Sequence, residues 1–227
     1  MLNKSTGNMY KWVTHTWSPI KGCKYDCSYC YTRYLNNLPW PWLSEKALRD
    51  NLGEGRTIFV CSQADMFGDW VQEEWVRAIL EKCKEYDNTY LFQTKNPSRF
   101  YHFLGEYPPK RILGTTIESN REDALAKISK APSPLIRATA MSMLPAKKEV
   151  TIEPIIDFDL GEMIILIGLA KPDFVAIGAD SRGHGLPEPS EQKIRDLMNV
   201  LVCKGIDVKP KSNLRRIAPG LFSERDR

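Results

Sequence analysis

TIFVCSQADMFGDWVQEEWVRAILEKCKEYDNTYLFQTK, residues 57–95, reads as one complete strand, helix, strand unit. The β-rich run TIFV ends on the polar residues CSQAD, and TYLFQTK repeats the pattern at the far end. Between them the spacing predicts a helix starting at Asp69, with Trp70, Val71, Trp75, Ile79, Leu80 and Cys83 on one apolar stripe. An apolar run, an amphipathic helix and a second apolar run form the unit from which parallel sheets are built.

The same alternation extends in both directions. RILGTTIES, PLIRATAMS, EVTIEP, DFVAIGAD and IDVKPKS continue the series, making seven runs, and KWVTHTW before them is a candidate eighth. Asn96 followed by Pro97 marks a helix start. In SEQKIRDLMNVLVCKG, Ile194, Leu197, Met198, Leu201 and Val202 are expected to face inward, with Gly205 as the stop and Cys203 as filler. MSMLPAKK is too short for a crossover helix between the runs starting at Pro134 and Glu149. The expected fold is therefore a single TIM-type (β/α) barrel, complete or partial, with one shortened crossover, and residues 1–227 forming one domain.

Parallel barrels gather their functional groups at the C-terminal ends of the strands. Asp65, Lys95, Glu118, Arg137, Glu153, Asp180 and Lys211 lie at or near those ends. Upstream, KGCKYDCSYCYTR places Cys23, Cys27 and Cys30 at C-x3-C-x2-C inside a loop spanning 18–34. Three thiolates leave one iron of a [4Fe-4S] cluster open to a ligand that is not protein. A zinc site with His15 or Cys61 as a distant fourth ligand is the alternative, in an Fe-S or zinc protein with a redox or interaction role. No ferredoxin-type C-x2-C-x2-C-x3-C-P run is present.

The 227 residues carry 32 basic and 28 acidic side chains, a net charge of +4 that neither requires nor excludes a nucleic-acid partner. No apolar run reaches membrane-spanning length and the first residues lack a signal-peptide core, so a cytoplasmic protein with reduced cysteines is expected.

C-x3-C-x2-C with an aromatic before its last cysteine resembles the signature of the radical S-adenosylmethionine (SAM) superfamily. The longer stretch TWSPIKGCKYDCSYCYTRYL resembles the cluster loop of its spore photoproduct lyase-like branch and of a phage-associated, uncharacterised branch. LFQTKNPSRF, LGTTIESN, VTIEP and VAIGADS resemble strand ends of the latter. The resemblance implies a [4Fe-4S] cluster on Cys23, Cys27 and Cys30, with SAM on the open iron, cleaved to a 5'-deoxyadenosyl radical that abstracts hydrogen. A reductant such as flavodoxin or ferredoxin would supply the electron.

By the same resemblance Tyr29 lies near the adenine, and Thr94, Thr116 and Glu118 hold the ribose and amino-acid parts of SAM. Where many members carry a Gly-Gly-Glu segment this chain has CSQADMFG, so Ser62, Gln63 and Asp65 are the substitute acceptors for the SAM amine. Lys95, Arg137, Glu153, Asp180 and Lys211 are the substrate-side candidates, and Cys61 is a candidate hydrogen donor. Trp40 and Trp42 flanking Pro41 offer stacking surfaces, and the basic segment 204–227, with Lys209, Lys211, Arg215 and Arg216, could meet phosphate. The substrate is expected to be a nucleobase, nucleotide or nucleic acid, with a small metabolite as the alternative.

Overall fold

A computed structural model describes residues 1–34 and 40–222. The strands are β1 (Leu2–Lys4), β2 (His15–Trp17), β3 (Ile20–Lys21), β4 (Trp42–Leu43), β5 (Thr57–Val60), β6 (Thr89–Thr94), β7 (Arg111–Thr116), β8 (Lys147–Ile152), β9 (Phe174–Ile177) and β10 (Asp207–Pro210). The α-helices are α1 (Glu45–Leu48), α2 (Glu73–Lys84), α3 (Glu122–Ala126), α4 (Pro134–Ser142), α5 (Leu160–Ala170) and α6 (Glu191–Cys203). Eight strands form one sheet in the order β1-β2-β5-β6-β7-β8-β9-β10, and β3 with β4 makes a separate ribbon. From β2 to β10 every neighbouring pair is parallel, while β1 runs antiparallel at the edge. The sheet is open: among the described residues β1 and β10 are its edges, and no pairing joins them into a closed barrel.

PLIRATAMS is not a strand. It forms α4, because Ser133 accepts a hydrogen bond from the Ile136 N–H and Pro134 fills the first helical position, where a missing donor costs little. Pro134, Arg137, Ala138 and Met141 are its buried positions, a helical period rather than an alternating one. The expected short crossover therefore disappears, since α3 and α4 together fill the connection from β7 to β8. Arg137 consequently sits on a helix, not at a strand end.

Two further boundaries move. The helix expected from Asp69 starts at Glu73, because the Asp69 carboxylate accepts from Asn96 Nδ2 at 2.7 Å and ties the preceding turn to the end of β6. Asn96–Pro97 does open a helical segment, though a 3-10 one, Pro97–Phe103. In α6, Ile194, Leu197 and Leu201 are buried and Met198 is half-buried, but Val202 is 58% exposed. Position 202 lies one residue past the stripe, which the helical turn of about 100° per residue carries toward solvent.

Because strand side chains alternate, each strand contributes to two different layers. Ile58, Val60, Tyr90, Phe92, Leu113, Val150, Ile152, Val175 and Ile177 pack with the helices in the main core. The opposite face carries Phe59, Leu91, Ile112, Phe174 and Ala176, and these pack with Met9, Tyr10, Trp12 and Val13. The segment between β1 and β2 thus covers the lower part of the inner face. Beyond this apolar floor the inner positions turn polar: Gln93, Thr116, Thr151 and Glu153 border a cavity of about 700 Å³.

Candidate functional site

Five strands deliver a side chain to the cavity from just beyond their last sheet residue. Cys61 follows β5, Lys95 follows β6, Glu153 follows β8, Asp180 lies beyond β9 and Lys211 follows β10; all five border the cavity. Cys23, Cys27, Tyr29 and Cys30 reach the same cavity from the loop after β3. That loop starts tightly: Gly22 adopts φ +81°, and a Cβ there would lie 2.5 Å from the carbonyl oxygen of Trp40. Trp40 itself is 70% exposed, with Lys24 Nζ 4.4 Å from its ring, and Trp42 is exposed on β4. Residues 38 and 39 of the same segment lie outside the described residues, as do 223–227 of the basic tail.

The cysteines are held locally. Cys27 Sγ is 3.1 Å from the Ser129 hydroxyl and Cys30 Sγ is 2.9 Å from that of Thr32. Burial, then the Asp65 carboxylate, pushes the Cys23 thiol up to about 12. Among the described residues no three Cys, His, Asp or Glu side chains already converge as a metal shell. Three thiols on one cavity are nonetheless a soft donor set of the kind iron and zinc take. His15 does not join them: its ring meets the Thr14 hydroxyl at 2.9 Å, and it is Thr16, on the opposite strand face, that borders the cavity.

One ionic group binds the cysteine loop to β6, β7 and α4. Glu118, fully buried, accepts from Tyr29 Oη at 3.0 Å, from Lys95 Nζ and from Arg137 Nη1 at 2.9 Å. Lys95 also donates to Thr116 Oγ1 at 2.8 Å, and Arg137 to the Thr116 carbonyl at 2.7 Å. Burial alone would raise the Glu118 carboxyl, but Arg137 and Lys95 outweigh it and hold the group far below the usual carboxylate range. Burial, and next the Glu118 charge, keeps the Tyr29 phenol protonated.

Asp65 fastens the CSQAD segment to β6, accepting from Thr94 Oγ1 (2.6 Å), Phe67 N (3.0 Å) and Lys95 N (2.7 Å). Burial still prevails over these donors and raises its carboxyl. Gln63 Oε1 accepts from Lys21 Nζ, and the Ser62 carbonyl accepts from the Tyr31 hydroxyl at 2.6 Å. Cys61 has φ +57° and a thiol raised to about 12, chiefly by burial.

A second polar group lines the opposite end of the sheet. Glu153 accepts from Asn8 Nδ2 (2.6 Å), Asn213 Nδ2 (2.8 Å) and Lys211 Nζ. Asp180 contacts His184 Nδ1 at 2.6 Å and accepts from the backbone N–H of Arg182 at 3.1 Å and of His184. Burial opposes this, yet the imidazole and the two N–H groups bring the Asp180 carboxyl below its usual range. The tail bases are engaged elsewhere: Lys209 with Asp207 at 2.5 Å, Arg215 over the Phe222 ring, and Arg216 with Glu188.

Of the strand-end candidates, Asp65, Lys95, Glu153, Asp180 and Lys211 share one cavity, while Glu118 and Arg137 lie behind its lining; Lys95 and Arg137 join Tyr29, Thr116 and Glu118, whereas Glu153 pairs with Lys211. Sequence reasoning did not single out Asn8, Tyr10, Gln93, Thr151, His184 or Asn213. For Gln93 and Thr151 the two-residue strand period was a usable signal, counting back from Lys95 and Glu153.

This fold is shared with solved spore photoproduct lyases. One is a double mutant with bound AdoMet and dinucleoside spore photoproduct (TM-score 0.57, 14% identity, 86% of this chain and 63% of that chain). Another is the lyase complexed with dinucleoside spore photoproduct (TM-score 0.58, 12% identity, 86% and 63%). The chain therefore spans less than two thirds of the length of these lyases. At this identity the likeness shows the fold, that of the spore photoproduct lyases. Residues 8–208 match the family described as "Protein of unknown function (DUF5131)", and the chain belongs to that family. No curated protein sequence matches it. Among the described residues no helix is long and apolar enough to cross a membrane.

Proposed function

We propose that the chain is a radical SAM enzyme in which Cys23, Cys27 and Cys30 hold a [4Fe-4S] cluster and the neighbouring strand ends hold SAM. The observation that carries this reading is the meeting of all three thiols with the polar strand ends on one cavity of about 700 Å³, within the range of nucleotide-sized sites. When bound, the two cofactors supply a carbon radical that removes hydrogen from a substrate C–H bond.

The chain's own residues position, shield and hold protons. Tyr29, half-buried, packs against Glu118 and Lys95 and fixes the cysteine loop over β6 and β7. Ser62, Gln63, Asp65, Thr94, Thr116 and Glu118 supply the acceptors and hydroxyls for SAM. Glu118 keeps its charge in the dry interior because two cations flank it. Cys61 bears its S–H up to about pH 12, as a hydrogen donor requires.

Glu153, Asp180 and Lys211 form the substrate side together with Lys95, while Arg137, behind the cavity lining, holds Glu118 in place. We favour a nucleobase, nucleotide or nucleic-acid substrate, supported by the dinucleoside held by the lyases of the same fold and by exposed Trp40 beside Lys24. One domain, a flavodoxin or ferredoxin reductant and a cytoplasmic location complete the proposal.

Reduced, anaerobically reconstituted protein is expected to cleave SAM to 5'-deoxyadenosine, and Cys27→Ala to abolish it. Cleavage by the variant at the wild-type rate would end the proposal. Affinity for single-stranded nucleic acid is expected to fall steeply with salt. Absence of binding at low salt would leave the small-metabolite alternative.

A further inference from the structure

Beneath the cavity lies a buried acid that none of the roles above employs. Glu149 on β8 is fully buried, and its Oε2 meets no hydrogen-bond partner among the described residues. Gly114 leaves it room: a Cβ there would lie 3.1 Å from Oε2. Its other oxygen, Oε1, is 2.9 Å from Thr151 Oγ1; Thr151 Oγ1 is 2.7 Å from the Tyr10 hydroxyl; and Tyr10 donates to Gln93 Oε1 at 2.8 Å. Tyr10, Gln93 and Thr151 border the cavity.

With the carbonyl oxygen of Gln93 turned toward Tyr10, counting hydrogens sets the direction of this chain. The single hydroxyl hydrogen of Tyr10 goes to the Gln93 carbonyl, so Tyr10 accepts from Thr151. The one hydrogen of Thr151 is then spent, and Thr151 in turn must accept from Glu149. Glu149 is therefore the carboxylic acid, and as such it also avoids an uncompensated buried charge. Burial, the largest cause, raises its carboxyl to about 8 in agreement with this count. The charged groups that act on it are Lys211, which lowers it, and Glu153, which raises it.

We propose that Glu149, Thr151 and Tyr10 form a proton-transfer chain that delivers a proton from the sheet interior to a ligand in the cavity. Gln93 parks the terminal hydrogen until the ligand offers a better acceptor, a carbonyl oxygen or ring nitrogen with a lone pair. One proton passes from Glu149 Oε1 to Thr151 Oγ1, the Thr151 proton to the Tyr10 oxygen, and the Tyr10 proton to the ligand. No electron moves, Glu149 ends as carboxylate, and a proton returning by the same hops resets it. Lys211 Nζ, 4.4 Å from the Tyr10 ring centroid, offsets the resulting negative charge.

The inference does not depend on the cluster and is testable on the metal-free full chain. Infrared spectra of protein carrying isotope-labelled glutamate should show a protonated carboxyl band at pH 7 that is absent in Glu149→Gln and vanishes with a midpoint near 8. On transfer to heavy water this band should shift about tenfold or more slowly in Thr151→Val than in the wild type, as expected when one hydrogen-bonded link is removed. Should Thr151→Val fail to fold, Tyr10→Phe cuts the next link and should slow the shift in the same way. Absence of the band at pH 7, or wild-type exchange in the folded variants, would overturn the proposal.

Discussion

Glu118, two residues past the end of β7, and Glu149, on the adjacent β8, are equally buried and end in different charge states. Glu118 has Arg137 and Lys95 against it and remains an anion far below the usual range. Glu149 has a threonine hydroxyl on one oxygen and, among the described residues, no hydrogen-bond partner on the other, and its carboxyl is pushed up to about 8. Burial is common to both, so the partners decide ionisation. The cavity thus meets a fixed ionic group beside the cysteine loop and a proton-bearing one beneath the opposite wall.

Removing a partner of the fixed group should produce the largest effect. Arg137→Met is expected to destabilise the protein by about 3–5 kcal/mol in urea unfolding at pH 7, the usual consequence of stranding one member of a buried ion pair. A loss within experimental error would show that Lys95 alone suffices for Glu118.

The pH dependence separates the two glutamates. The folded Glu118 carboxyl lies below its unfolded value of 4.5, so it contributes stability above pH 4.5 that is lost as pH falls through the folded value. The folded Glu149 carboxyl lies above 4.5, so its contribution is fully present below pH 4.5 and is lost as pH rises toward about 8. Glu149→Gln should therefore flatten the decline in stability between pH 4.5 and 8, and Glu118→Gln should leave that decline unchanged. The reverse outcome in thermal melts across that range would exchange the assignments.

Gly114→Ala should cost about 1–3 kcal/mol, because the new methyl crowds the dry Glu149 oxygen in a packed interior. Smallest of all, Trp40→Ala should change stability by less than about 0.5 kcal/mol, as this side chain is largely in solvent. A large loss there would make Trp40 a packing residue and weaken its case as a stacking surface.

Strands with clear ends were legible in the sequence. TIFV, TYLFQT and FVAI carry β-branched and aromatic residues bounded by polar ones, and all three are strands. PLIRATAMS has the same apolar density, but its buried positions follow a helical spacing that a nine-residue window scarcely separates from a strand. At the site, the strand-end rule led to Asp65, Lys95, Glu118, Glu153, Asp180 and Lys211, took in Arg137 from what is a helix, and stopped there. Gln93 and Thr151 lie two residues further down the same strands, where the strand period marked the face but named no partner, and Glu149, deeper still, is a polar residue in an apolar run with no hint of what it meets. Tyr10 was beyond reach for another reason: its hydroxyl meets Thr151 from 141 residues away, through an irregular segment with no period to read. Arg137 reached Glu118 from a helix, across a connection whose length had been misjudged.

Iron and sulfide per chain after anaerobic reconstitution test the central claim most directly. The account predicts about four of each in the wild type and a loss of most of both in Cys27→Ala. Stoichiometric zinc without sulfide, or an iron content unchanged by the substitution, would contradict it.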